Sequence, residues 1–101
     1  MYRWRLRVEV HYGHFPEFLQ NFEEIRSLMG ERGWKQPTLW TPVVGKGNEV
    51  VWEIEYADLA TFDHERQAFY ADAEAMRLWR APADYIVQGS VYDELLEPAP
   101  N

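Results

Sequence analysis

Residues 2–11 alternate without a break: Tyr2, Trp4, Leu6, Val8 and Val10 fall on one side, and Arg3, Arg5, Arg7, Glu9 and His11 on the other. A period of two is the mark of a strand with one face in a core. The pattern returns at 50–56, where Val50, Trp52, Ile54 and Tyr56 alternate with Val51, Glu53 and Glu55, so acids stand where the first strand has arginines. Between the two strands the period lengthens. Phe15, Phe18, Leu19, Phe22, Ile25, Leu28 and Met29 recur at three and four residues, with Glu17, Asn21, Glu24 and Arg26 off the stripe. That spacing predicts an amphipathic helix. Pro16 suits its first turn, and Gly30 and Gly33 suit its end.

Residues 38–44 are β-prone, and Pro42 lacks a ladder donor, which predicts an edge strand or a bulge there. Residues 45–48, Gly-Lys-Gly-Asn, read as the hairpin into 50–56. A second helix starts with Asp58 or Thr61 as its cap and runs to Pro82. Its expected buried stripe is Phe62, Phe69, Ala73 and Met76, with Tyr70, Leu78 and Trp79 near the edges. A last strand is predicted at 85–92, with Tyr85, Val87 and Val91 on one side and Ile86, Gln88, Ser90 and Tyr92 on the other.

The order is βαββαβ. Elements with one apolar face each stack as two layers, and right-handed crossovers put the first and third strands side by side in the middle. The expected fold is α+β and ferredoxin-like: a four-stranded antiparallel sheet with two helices on one face. Residues 1–96 form one domain, and 97–101 a tail with little reason to be ordered.

This topology sets Arg3, Arg5 and Arg7 beside Glu53 and Glu55 on the face that the helices leave open. Such pairs contribute roughly 0.2–1 kcal/mol each, enough to fix register and no more. The bland expectation is a solvated sheet face. The sharper one is that a second copy covers it, with Trp40, Val51, Ile86 and Tyr92 as apolar contacts among the charges.

Composition narrows the partners. The net charge of −7 disfavours nucleic acid and anionic membrane surfaces. The chain has no cysteine, which removes thiolate chemistry, and no apolar run of membrane-spanning length. A cytoplasmic protein is the default expectation.

The strand order, the length, the aromatic strands and the run Tyr70-Ala71-Asp72-Ala73-Glu74-Ala75-Met76, followed by Gly89-Ser90-Val91-Tyr92, resemble the dimeric α+β barrel superfamily. Within it the chain is most similar to NIPSNAP-type domains, and more distantly to EthD-like and antibiotic-biosynthesis-monooxygenase-like domains. The resemblance runs from Tyr2 to about Leu96. It implies a homodimer joined through the sheets, with Arg3, Arg5, Arg7, Trp40, Val51, Glu53, Glu55 and Tyr92 at the interface.

Candidate chemistry is sparse. His11 and His14 stand three apart at a corner, and a metal there would need a carboxylate such as Glu9 or Glu55; the spacing matches no metal motif, so polar histidines are expected and no metal. His64 lies off the helical stripe, which argues against an axial haem ligand, and no cofactor is expected. Ser27 and Ser90 lack a nucleophile's setting, and the pair Glu23/Glu24 reads as helix surface. Trp4, Trp52 and Tyr56 face the helices, opposite Phe69 and Trp79. They read first as plain core, and otherwise as the wall of a small apolar or aromatic ligand's site. The function expected is therefore a NIPSNAP-like homodimer of unassigned role with room for such a ligand. One alternative is a cofactor-independent monooxygenase or isomerase acting on an aromatic or polyketide-like substrate, with His11, Tyr12 or Tyr56 as the acid–base group. Another is an assembly or regulatory domain without a ligand.

Overall fold

The computed structural model describes residues 1–100. Its elements are β1 (Tyr2–Glu9), α1 (Phe15–Glu31), β2 (Thr38–Trp40), β3 (Glu49–Tyr56), α2 (Leu59–Ala71), α3 (Ala73–Arg80) and β4 (Tyr92–Leu96). The sheet is antiparallel in the order β2-β3-β1-β4, so β1 and β3 are central, as the two alternating runs predict. This is the ferredoxin-like arrangement.

Register follows from the pattern. Arg3 opposes Glu55 and Arg5 opposes Glu53, while Trp4 meets Ile54 and Leu6 meets Trp52 on the other face. The apolar face of β1 and β3 (Leu6, Val8, Val10, Val50, Trp52, Ile54 and Tyr56) is buried under Phe18, Phe22, Ile25, Leu28 and Met29 of α1. Asn21, expected off the stripe, is buried too. Its Nδ2 donates to the Leu78 carbonyl at 2.9 Å and so ties α1 to α3.

Three predicted elements differ. The second helix is two. Asp72, at φ −92° and ψ 117°, interrupts it, and its carboxylate accepts the Ala75 N–H at 3.0 Å as the N-cap of α3. The same carboxylate receives Arg32 Nε at 2.8 Å from the end of α1. The break changes which side chains go in: Ala75 and Leu78 are buried, whereas Ala73 is exposed and Met76 only half-buried. The leading helix α2 is capped by Asp58, whose Oδ1 accepts Thr61 N–H at 2.7 Å, and it has no fully buried residue.

The strand expected at 38–44 stops at Trp40, because Pro42 cannot extend the ladder, and residues 41–48 form the loop into β3. It lies at the sheet edge, as the proline requires.

The last strand comes later than 85–92. Ile86 makes one isolated bridge to Val10, on the core side, so it packs inward and does not belong to the open face. Ser90 then takes the place of a ladder partner: its Oγ accepts the Glu9 N–H at 3.1 Å and donates to the Val87 carbonyl at 2.6 Å. Gly89 turns the chain at φ 83°, a left-handed angle that favours glycine. Pairing resumes with Tyr92 opposite Arg7. Of the expected tail, Glu97 to Pro100 has no regular structure, and Asn101 lies outside the described residues.

Candidate functional site

Because α2 buries nothing fully and α3 carries the inward-facing residues, a cleft opens between α2 and the sheet. Its floor is Trp52, Ile54 and Tyr56 of β3 with Trp4 of β1; its roof is Phe62, Glu65, Arg66, Phe69 and Tyr70 of α2. Trp79 of α3, Met29 and Trp34 close one end, and Asp93 of β4 stands at the mouth. The rings meet edge to face: Trp79 packs on Trp52 at 5.6 Å and on Phe69 at 5.8 Å between centroids, and Phe62 packs on Tyr56 at 5.4 Å. Such geometry suits the ring quadrupoles.

The enclosed volume is about 70 Å³, and the empty space including the open mouth is about 580 Å³. The enclosed part is below the roughly 150 Å³ that admits a benzene ring, and most of the remaining space is open to solvent.

Two groups on the floor are chemically distinctive. The Trp52 indole N–H is buried and has no hydrogen-bond partner among the described residues. An unpaired buried donor costs about 1–3 kcal/mol, which an acceptor atom of a ligand or a water would recover. The Tyr56 phenol is pushed up to about 12, chiefly by burial and then by the nearby Glu65 charge. It stays protonated at neutral pH and is a donor there, not a base.

The sequence candidates divide cleanly by place. Trp4, Trp52, Phe69, Trp79 and Tyr56 converge on this cleft; His11 and Tyr12 do not. His11 is exposed at the end of β1, and Tyr12 is 81% exposed in the following turn. His14 stacks on Tyr85 at 5.3 Å and meets Glu17 Oε2 at 3.1 Å. His64 is exposed on α2. Among the described residues no three His, Asp or Glu side chains converge as a metal set would need. Sequence reasoning missed Trp34, Glu65, Arg66, Tyr70 and Asp93 as lining residues. Trp34, just beyond the α1 stripe and Gly33, carried a signal as a large ring with no assigned face; Asp93 carried none, since its strand was placed too early.

The open sheet face forms a ladder of ion pairs. Arg3 bonds Glu55 at 2.7 Å and Arg5 bonds Glu53 at 2.8 Å. Arg7 lies between Glu49 at 3.5 Å and Glu94 at 3.8 Å, and Lys46 reaches Glu9 at 3.2 Å. Thr38 opposes Glu53 and Trp40 opposes Val51, so Trp40 and Val51 share this face; Tyr92 and Leu96 oppose Arg7 and Arg3 on the same face. Trp40 and Tyr92 are each 57% exposed.

No family model matches the chain, and no curated protein matches it in sequence. Solved structures do. A NIPSNAP domain protein from Burkholderia xenovorans superposes with a TM-score of 0.79 at 22% identity, over 98% of this chain and 95% of its own. A NIPSNAP family protein of unknown function from Agrobacterium tumefaciens gives 0.75 at 19%, over 98% and 88%. An antibiotic biosynthesis monooxygenase gives 0.74 at 14%, over 99% and 100%. This chain has their fold. The NIPSNAP and monooxygenase-like resemblance read from the sequence is thereby matched by structure. At these identities the likeness is one of architecture, and it assigns no reaction.

Proposed function

We propose that this protein is a NIPSNAP-like homodimer that binds a small, flat, apolar or aromatic molecule between its sheet and α2. The single observation behind the reading is the aromatic cleft with an unpartnered Trp52 N–H on its floor. Apolar walls supply the affinity, and one or two donors orient the occupant, the usual division of labour in small-molecule sites. Trp52 and the protonated Tyr56 both donate, so the inner end of the ligand carries an acceptor atom. An acid–base enzyme is the weaker reading. His11 and Tyr12 are remote from the cleft, and Tyr56 is held in its protonated form.

A thermal-shift and tryptophan-fluorescence screen with quinones, phenols and haem tests the binding reading. Flat acceptor-bearing molecules are expected to raise the melting temperature and quench tryptophan, and Trp52→Phe is expected to weaken them several-fold. If none of these molecules stabilises the protein, the ligand-binding reading is wrong and a pure assembly domain is left. The pairing of two copies through the open sheet face is part of the same proposal, and sedimentation of the wild type tests it.

A further inference from the structure

The polar groups of the cleft are sorted by depth. Donors lie on the floor, at Trp52 and Tyr56, both nearly fully buried. Carboxylates lie at the rim: Glu65 on α2 and Asp93 on β4. Glu65 Oε1 accepts the backbone N–H of Lys35 at 2.8 Å, and Asp93 Oδ2 accepts the Trp4 indole N–H at 3.2 Å. Among the described residues neither carboxylate has an ion-pair partner. The acids of the open sheet face differ in this respect. Glu9, Glu49, Glu53, Glu55 and Glu94 each face an arginine or lysine. The two carboxylates thus stand without an ion pair where a ligand would enter, and with Arg66 also among the lining residues the charged side chains of the cleft sum to −1.

Its walls favour the same sign. Aromatic faces attract cations through the ring quadrupole, and the rim already holds one example: the Arg66 guanidinium lies over the Tyr70 ring, 5.3 Å from its centroid. Arg66 is the one basic residue among the described lining residues, and it is engaged with that ring.

We propose that the cleft, taken as the ligand site argued above, selects an aromatic cation. One edge of the ring of an aryl or arylalkyl amine enters between Trp4, Trp52, Phe69 and Trp79, the rest of the ring lies in the open mouth, and its protonated nitrogen stays at the rim with Glu65 and Asp93. An anionic ring compound meets two carboxylates there against the one guanidinium of Arg66 and is disfavoured. Exposed ion pairs are individually weak, so the preference for the amine over its uncharged analogue is about tenfold for the two carboxylates together.

Three probes with one ring isolate the charge: benzylamine, benzyl alcohol and benzoate. Each is titrated into ¹⁵N-labelled protein while the indole N–H signals of the five tryptophans are followed. Benzylamine is expected to bind about tenfold more tightly than benzyl alcohol, with benzoate weakest, and only the amine should weaken as salt rises from about 20 to 300 mM. In the Glu65→Gln/Asp93→Asn double variant the amine should fall to the affinity of the alcohol, while the alcohol is unchanged; both substitutions keep an acceptor oxygen for Lys35 and Trp4. Equal binding of amine and alcohol, tighter benzoate, or a salt-independent amine affinity overturns the cation proposal and leaves the binding reading standing. The salt series needs no variant, so misfolding of the double variant does not remove the test. If no probe moves an indole signal the cation proposal is overturned, and the binding reading is decided separately by the screen of acceptor-bearing quinones and phenols.

Discussion

Removing the hydroxyl of Tyr56 takes one polar group from the cleft and one titrating group from the core. In an unfolded chain this phenol ionises near 10, and in the fold it is pushed up to about 12. Below pH 10 both states hold the proton and stability is unaffected. Between 10 and 12 the unfolded chain releases a proton that the folded chain keeps, so unfolding becomes more favourable as pH rises. Two units correspond to at most about 2.7 kcal/mol, and solvent access through the mouth reduces this to about 2 kcal/mol. Tyr56→Phe should therefore lose about 2 kcal/mol less stability than the wild type between pH 9 and pH 12, measured by urea denaturation at both values. Identical losses would mean that the phenol is not desolvated. At this scale the sequence spoke well for residues on regular elements. Trp4, Trp52 and Tyr56 share the helix side of the sheet because period two allows nothing else, and Phe69 follows from helical spacing, whereas Trp79, expected near the edge of the stripe, reaches the cleft from beyond the Asp72 break. Trp34 and Asp93 were illegible because a loop and a strand register decide where they go, and neither leaves a local period.

Elements were legible in kind and order, and less so in their limits. β1, β3 and α1 each carry one uninterrupted period, and all three stand where the pattern puts them. The Asp72 break was hidden because residues 71–75 read as strongly helical by propensity, whereas the Asp72 side chain prefers to cap a new helix and pair with Arg32. Propensity lost to a local hydrogen bond. The shift of β4 has a similar origin, with Ser90 substituting for ladder bonds before pairing resumes. Asp72 is the most informative element-scale test. Its carboxyl is held below the usual aspartate range, first by the Arg32 hydrogen bond and then by the Ala75 N–H. A depressed folded value means that its stabilisation is present above the unfolded value and lost as pH falls through the folded one. Asp72→Ala should lower the melting temperature at pH 7, and the gap from wild type should shrink as pH is lowered from about 4 to about 2, followed by circular dichroism. A gap that stays constant over that range would assign the loss to contacts that do not depend on the charge of the carboxylate. The same variant loosens the junction that lets α2 stand clear of the sheet, so the cleft's tryptophan fluorescence should change with it.

For the whole molecule, the open question is what covers the second face of the sheet. Each arginine on that face already has a carboxylate partner within its own chain, so covering the ladder strands no lone charge. Four cations stand against five carboxylates there, a residual charge too small and of the wrong sign for one copy to attract another. Pairing must therefore rest on the apolar groups: Trp40, Val51, Tyr92 and Leu96. With β1 and β3 of 8 residues each, β4 of 5 and β2 of 3, at about 3.3 Å per residue and about 4.8 Å between strands, the face covers roughly 380 Å² in projection, well short of the roughly 800 Å² per partner of a standard interface. Side-chain relief and the loop after β2, where Val43 and Val44 stand fully exposed, are the remaining sources of contact. Under the proposed homodimer, sedimentation of the wild type should give twice the 12.0 kDa chain mass at micromolar concentration. The Trp40→Ser/Tyr92→Ser variant should sediment as a monomer with unchanged far-ultraviolet circular dichroism. Both side chains are more than half exposed in the single chain, so their loss costs the monomer only about 0.5 kcal/mol each. Arg5→Glu is a second probe, since it sets a third carboxylate between Glu53 and Glu94 and should weaken the dimer as well. A wild type that stays monomeric at high micromolar concentration sinks the pairing and leaves the ion-pair ladder as a solvated face. A double serine variant that remains dimeric would instead move the contact elsewhere, with the exposed loop around Val43 and Val44 the next surface to substitute.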